Sequence, residues 1–241
     1  MPDGKRIAIL QSNYIPWKGY FDLIAMVDEF IIYDEMQYTK NDWRNRNKIK
    51  TYLGPKWLSI PVKTKGHISN AVRIMDAEIA DSGWARSHWN TIVQNYSKAK
   101  WFKEYASLFE ALYAECEKET LLCKVNYKFL YRIIDLLGIK TKISYSTDYG
   151  LIEGKTERLI DLVKKAGGTT YISGPAAKDY LEERLFNDAN IELQWMDYSG
   201  YPEYPQLYPP FEHGLSILDL IFNCGADTSK YMKQNEWRVT Q

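Results

Sequence analysis

Two polar clusters near the start of this chain carry residue types that suit a ligand site. The first is Gln11, Asn13, Tyr14, Trp17 and Lys18; the second is Gln37, Asn41, Trp43, Arg44, Asn45, Arg46 and Lys48. Amides read hydrogen-bonding edges, guanidinium forks match phosphate oxygens, and indole or phenol rings offer an apolar face with a polar edge. Together these groups point to a nucleotide, with phosphates on the cations and base or sugar on the rings. Asp34 stands just ahead of the second cluster, where it could bind a ribose hydroxyl, orient a nucleophile or hold a metal. Lys63 and Lys65 would extend the basic rim. A third group joins Lys155 and Arg158 to Ser173, Gly174 and Lys178. There a strand ending at Ser173 turns through Gly174 into a short helix and presents backbone N–H groups to an anion.

The candidate acid–base groups are few. His88 is the leading general base, because an unperturbed imidazole titrates near neutrality; its plainer role is packing beside Trp84 and Trp89. Asp34 is the other candidate. His67 and His213 fall in expected loops. The chain has no GxGxxG and no GxxxxGK[ST], so neither a dinucleotide fingerprint nor a P-loop is present. No Ser-His-Asp arrangement and no metal-ligand spacing is legible.

These residues need strands and helices to position them. Arg6–Leu10 reads as a strand, 16–26 as a helix opened by Pro16, and Glu29–Asp34 as a second strand. Lys56–Val62 reads as a third strand of the same sheet. The stretch from about 81 to 137 reads as three successive helices, stopped by Gly138. Alternation then resumes with a strand at 141–146, a helix at 156–166, a strand at 169–173, a short helix near 176–181 and a strand at 191–196. An apolar helix is expected near 216–222. The pattern predicts an α/β domain: a mostly parallel Rossmann-like sheet with an inserted helical subdomain at about 81–137. In such sheets ligands bind at the carboxyl ends of the strands.

At 241 residues the chain has the length of one sizeable domain. Lys+Arg and Asp+Glu both number 31, which removes any global pull toward nucleic acid. The longest apolar run is short of a membrane span and the amino end lacks an apolar leader core, so a soluble cytoplasmic protein is expected. The cysteines, Cys116, Cys123 and Cys224, are expected to be buried reduced thiols.

Long segments of the chain resemble the WbqC-like protein family. They include QSNYIPWKGYFDLI at 11–24, YDEMQYTKNDWRNRNKI at 33–49, IPVK at 60–63, NYSKAKWF at 95–102, TTYISGPAAKDYL at 169–181 and FEHGLSILDLIFNCG at 211–225. The family's usual opening has Pro after the first Gln, where this chain has Ser12; that change is expected to loosen the loop slightly. The resemblance implies a bacterial protein of surface-polysaccharide clusters, especially O-antigen clusters, in which nucleotide-linked 4-amino sugars receive amino-acid or acyl groups. The expected function is an N-acyl- or aminoacyltransferase, glycyl among them, acting on a substrate such as a dTDP-4-amino-4,6-dideoxy sugar. It would need an acyl or aminoacyl donor, with ATP a candidate cosubstrate. Zero net charge weakly disfavours a tRNA donor without excluding one. Two alternatives stand beside this: nucleotidyl or adenylyl transfer, and a non-catalytic nucleotide-sugar-binding assembly protein.

Overall fold

Strand residues that face two apolar layers alternately build the centre of the protein. In β1 (Arg6–Leu10), Ala8 and Leu10 pack to one side while Ile7 and Ile9 pack to the other. After α1 (Lys18–Ala25), β2 (Glu29–Ile32) repeats this, with Phe30 and Ile32 opposite Ile31. Burial on both faces is what a parallel sheet requires. The computed structural model describes residues 4–63 and 72–233.

Beyond β2 come the antiparallel pair β3 (Arg46–Thr51) and β4 (Gly54–Ser59) and the helices α2 (Trp84–Tyr96), α3 (Phe102–Cys116) and α4 (Leu122–Leu136). The remaining elements are β5 (Lys142–Tyr145), α5 (Thr156–Lys165), β6 (Thr170–Ser173), α6 (Glu183–Asp188), β7 (Glu192–Trp195) and α7 (Ile217–Cys224). The main sheet has order β5-β2-β1-β6-β7 and every pairing is parallel. One apolar layer joins α1, the inserted helices α2–α4 and α7 to the sheet; the other is formed by α5 and α6. The α/β class and the inserted helices agree with the sequence reading. Cys116, Cys123 and Cys224 are buried and unbridged. Among the described residues no helix is long and apolar enough to cross a membrane.

One expectation fails. Lys56–Val62 does not join the parallel sheet. Its first part, β4, pairs antiparallel with β3 in a separate hairpin, with Lys48 opposite Trp57. The tight turn uses Gly54 at φ +102°, a conformation that only glycine adopts without strain. Lys63 therefore lies off the main sheet's rim, exposed and paired with Glu78 at 2.7 Å. Lys65 and His67 lie outside the described residues.

Candidate functional site

The chain crosses from one side of β1 to the other between β5 and β6, so β1 and β6 diverge at their carboxyl ends. Open α/β sheets bind ligands in that crevice. A cavity of about 440 Å³ lies there, lined by Gln11 after β1, Tyr33 after β2, Ser173 and Gly174 at the end of β6, and Lys155 and Arg158 at the start of α5. Its volume falls within the ordinary range for small-molecule sites.

The floor of this cavity is aromatic and its wall is cationic. Tyr33, Tyr171 and Tyr180 line it, and Tyr171 stacks on Phe186 with centroids 5.4 Å apart. Arg158 is fixed by its own bonds: Nε donates to the Ile152 carbonyl at 2.7 Å and Nη1 to Tyr33 Oη at 3.3 Å. Among the described residues neither Arg158 nor Lys155 has a carboxylate within 4 Å, so both charges are open to an anion. The first turn of α5 adds the positive end of its dipole.

The loop after β1 is held from several sides. Ser12 donates twice to Asp34, through N–H at 2.8 Å and Oγ at 2.7 Å. Ser12 thus ties the loop down, where it was expected to loosen it. Burial pushes the Asp34 carboxyl up, while bonds from Ser12 and Tyr127 and the Arg44 charge pull it back. Its oxygens are committed to holding the loop. Ile15 has φ +36°, a strained backbone for a β-branched residue, and Asn47 Nδ2 clamps it by donating to the Tyr14 and Ile15 carbonyls at 3.2 and 3.0 Å. Arg44 bridges the two amide side chains of the loop, with Nη1 2.6 Å from Asn13 Oδ1 and Nη2 3.2 Å from Gln11 Oε1.

A second cavity of about 300 Å³ is lined by Asn13, Pro16, Trp17, Trp43, Asn47 and Gly214. The chain just ahead of α1 borders this space, not the first cavity. Trp43 is exposed and lies against Trp57, with ring centroids 5.3 Å apart. Arg46 and Lys48 reach over Trp57 at 4.2 and 5.1 Å.

Several residues singled out from the sequence lie elsewhere. Lys18 is buried under Tyr201 and Tyr204, with Nζ 4.6 and 5.2 Å from their centroids. Burial lowers its pKa to about 8, and nearby acids such as Asp22 limit the fall. Tyr14 is fully buried, and its hydroxyl bonds His88 Nδ1 at 2.9 Å and Tyr113 at 2.8 Å. Asn45 is buried and donates to the Ile60 carbonyl. Gln37 bridges Arg73 through its backbone, and Asn41 occupies a left-handed turn at φ +60°. Lys178 lies over Trp195 with Nζ at 5.4 Å. Tyr33, Tyr171 and Tyr180 were missed; Tyr33 follows the end of β2 and Tyr171 lies within β6, opposite Ile7 of β1, a neighbour that only the strand order reveals.

His88 lines neither cavity. It is wedged against Tyr14 and Trp84, and burial lowers its pKa to about 4; a backbone bond with Ser59 opposes the fall and Lys56 adds to it. It is a neutral packing residue that steadies Tyr14. A histidine held neutral when folded binds its proton more readily when unfolded. Stability is therefore complete above the unfolded value near ~6.5 and falls as pH drops toward about 4. The loss should reach about 3 kcal/mol. Urea unfolding of the parent and of His88→Gln at pH 7 and pH 4 tests this: the variant should lack that part of the acid loss. An equal acid loss in both would remove His88 as its source.

Comparison with known proteins follows the same outline. The chain is 49% identical over 229 residues to the uncharacterized protein Rv1507c of Mycobacterium tuberculosis, a match covering 95% of this chain and 98% of that one. No solved structure matches it. The profile of the WbqC-like protein family matches residues 11–231, which include Gln11, Lys155, Arg158, Ser173 and Gly174 of the first cavity and the whole lining of the second. The chain belongs to the WbqC-like protein family.

Proposed function

We propose that this protein transfers an acyl or aminoacyl group to the amine of a nucleotide-linked amino sugar, such as a dTDP-4-amino-4,6-dideoxy sugar, in surface-polysaccharide synthesis. The observation that carries the reading is the switch-point cavity, where Lys155 and Arg158, without a carboxylate within 4 Å among the described residues, join three tyrosine rings and one amide in the lining. Lys155 and Arg158 would take the diphosphate, and the tyrosines the base and sugar. The polysaccharide setting rests on the family resemblance.

In the reaction the neutral amine nitrogen attacks the acyl carbon of an activated donor. The C–N bond forms, the bond to the leaving group breaks, and the amine proton departs with that group. Asp34 and His88 are both engaged within the protein, so the residues at the cavity act by holding the two partners together, which can itself supply a large rate factor.

The test is calorimetric titration with dTDP and ATP, followed by mass spectrometry of a dTDP-amino sugar incubated with thioester or amino-acid-plus-ATP donors. Micromolar dTDP binding and an acyl-sized mass gain on the sugar are expected. ATP cleavage without amide would favour adenylyl transfer. Tight binding with no product from any donor would favour a non-catalytic carrier.

A further inference from the structure

The transfer reading leaves the second cavity and its rim unused, and their chemistry is specific. Arg46 and Lys48 stand two apart on β3, so both side chains leave the same face of the hairpin. Both converge on one half-exposed indole, Trp57, which touches the exposed ring of Trp43. Two like charges held side by side repel each other. A solvated strand would space them or pair them with acids, yet among the described residues neither has a carboxylate within 4 Å. Cation–π attraction at an exposed ring offsets only about 0.5–1 kcal/mol. Such a patch is complementary to a ligand carrying both a flat ring and an anion.

The patch is also placed to serve the first cavity. Asn13 lines the second cavity and Gln11 the first, and one guanidinium, that of Arg44, bonds both. Arg44 thus ties one lining residue of each space to the same guanidinium.

We infer that the Trp43–Trp57 rim and its adjoining cavity bind the adenine nucleotide of the activated acyl donor, leaving its acyl end to meet the sugar amine beside Arg44. This rests on the transfer reading, which requires an activated donor. Coenzyme A thioesters and acyl adenylates share an adenine with phosphate. The indoles would stack on the purine, and Arg46 and Lys48 would take the phosphate.

The probe is AMP, with coenzyme A and ribose 5-phosphate in parallel, titrated into the full protein while the indole N–H signals of Trp43 and Trp57 are followed by NMR. AMP should shift both signals. Trp57→Ala should weaken AMP by roughly 5- to 150-fold, Arg46→Gln with Lys48→Gln by at least roughly 10-fold, and both should leave dTDP affinity within a factor of two. Should Trp57→Ala fail to fold, the double variant alone decides. Unchanged AMP affinity in the double variant, or ribose 5-phosphate binding as tightly as AMP, overturns the inference. Tighter binding by coenzyme A than AMP identifies a thioester donor, and equal binding identifies an adenylate; either supports the subsite. If dTDP binds but AMP leaves the rim silent, the subsite falls and the sugar-nucleotide reading stands. If AMP shifts the rim but dTDP does not bind, the reading fails and the subsite stands.

Discussion

Arg158→Ala should weaken dTDP binding by roughly 10- to 150-fold. The range follows from about 1.5–3 kcal/mol for a charge-assisted hydrogen bond to an anion. The side chain is already oriented by Ile152 and Tyr33, so little ordering is left to be done on binding. Arg158→Lys should recover only part of the affinity, because an ammonium keeps the charge and loses the planar fork. In turnover assays KM for the nucleotide sugar should rise with kcat much less changed, the pattern of lost uniform binding. The contacts Arg158 makes within the protein are few, so Tm should move little. Titration calorimetry with dTDP measures the first effect and a thermal melt the second. Unchanged dTDP affinity in a folded Arg158→Ala variant would move the nucleotide out of the switch-point cavity.

The second large effect falls on stability. Glu29, the first residue of β2, has a fully buried side chain between Lys5 at 2.7 Å and Lys142 at 3.1 Å, and it also accepts from Ser144 at 2.6 Å and from Tyr149. Burial alone would raise its pKa, but the bonds from Lys5, Ser144, Tyr149 and Lys142 outweigh burial and hold it at about 2. Glu29→Ala strips the shared acceptor from four donors. Breaking a buried pair in this way costs roughly 3–5 kcal/mol. Because both lysines reach solvent, the lower end applies, about 3 kcal/mol. For a chain of this size that lowers Tm by roughly 6–12 °C. The pH dependence has a definite sign. A carboxyl whose folded pKa is depressed contributes fully above its unfolded value near ~4.3 and loses that contribution as pH falls. Parent stability should therefore decline from pH 4.5 toward 2, a limb that Glu29→Ala flattens. The His88 limb lies above it, between pH 6.5 and 4, so denaturant melts across the acid range separate the two. A parent and variant with the same acid profile below pH 4 would exclude Glu29 as its origin.

The fold was largely legible because its signals are local. The apolar run Ile7–Leu10 and the cap and stop residues of the inserted helices are read directly from the chain. Gln11, Ser173, Gly174 and Arg158, which line the switch-point cavity, were also legible as candidates, because each stands at a strand end or first helical turn. Strand order was not legible. Nothing in the run TYIS says that it pairs with β1 rather than β5, so Tyr33 and Tyr171 could not be assigned to a shared crevice. β3 has no strand signal in the sequence because Arg46, Asn47 and Lys48 are polar; its alternation is real, but Asn47 faces inward to clamp a backbone instead of filling a core. Lys18, Asp34 and His88 misled for one reason. Residue type gives the chemistry a side chain can do, while burial and internal partners decide whether any of it is offered to a ligand.

The late arrival of β6 beside β1 has a consequence for synthesis of the chain. A ribosome that has made α1, the hairpin, the inserted helices and β5 has produced one flank of the sheet, while the other edge of β1 still exposes its backbone groups. That edge belongs to the apolar centre of the sheet and offers a template for pairing with another chain. It closes only when Thr170–Ser173 emerges, and the same event supplies the second lip of the switch-point crevice. A nascent chain stalled near residue 166 should therefore engage holdase chaperones and ignore dTDP, and one extended past β7 should do the reverse.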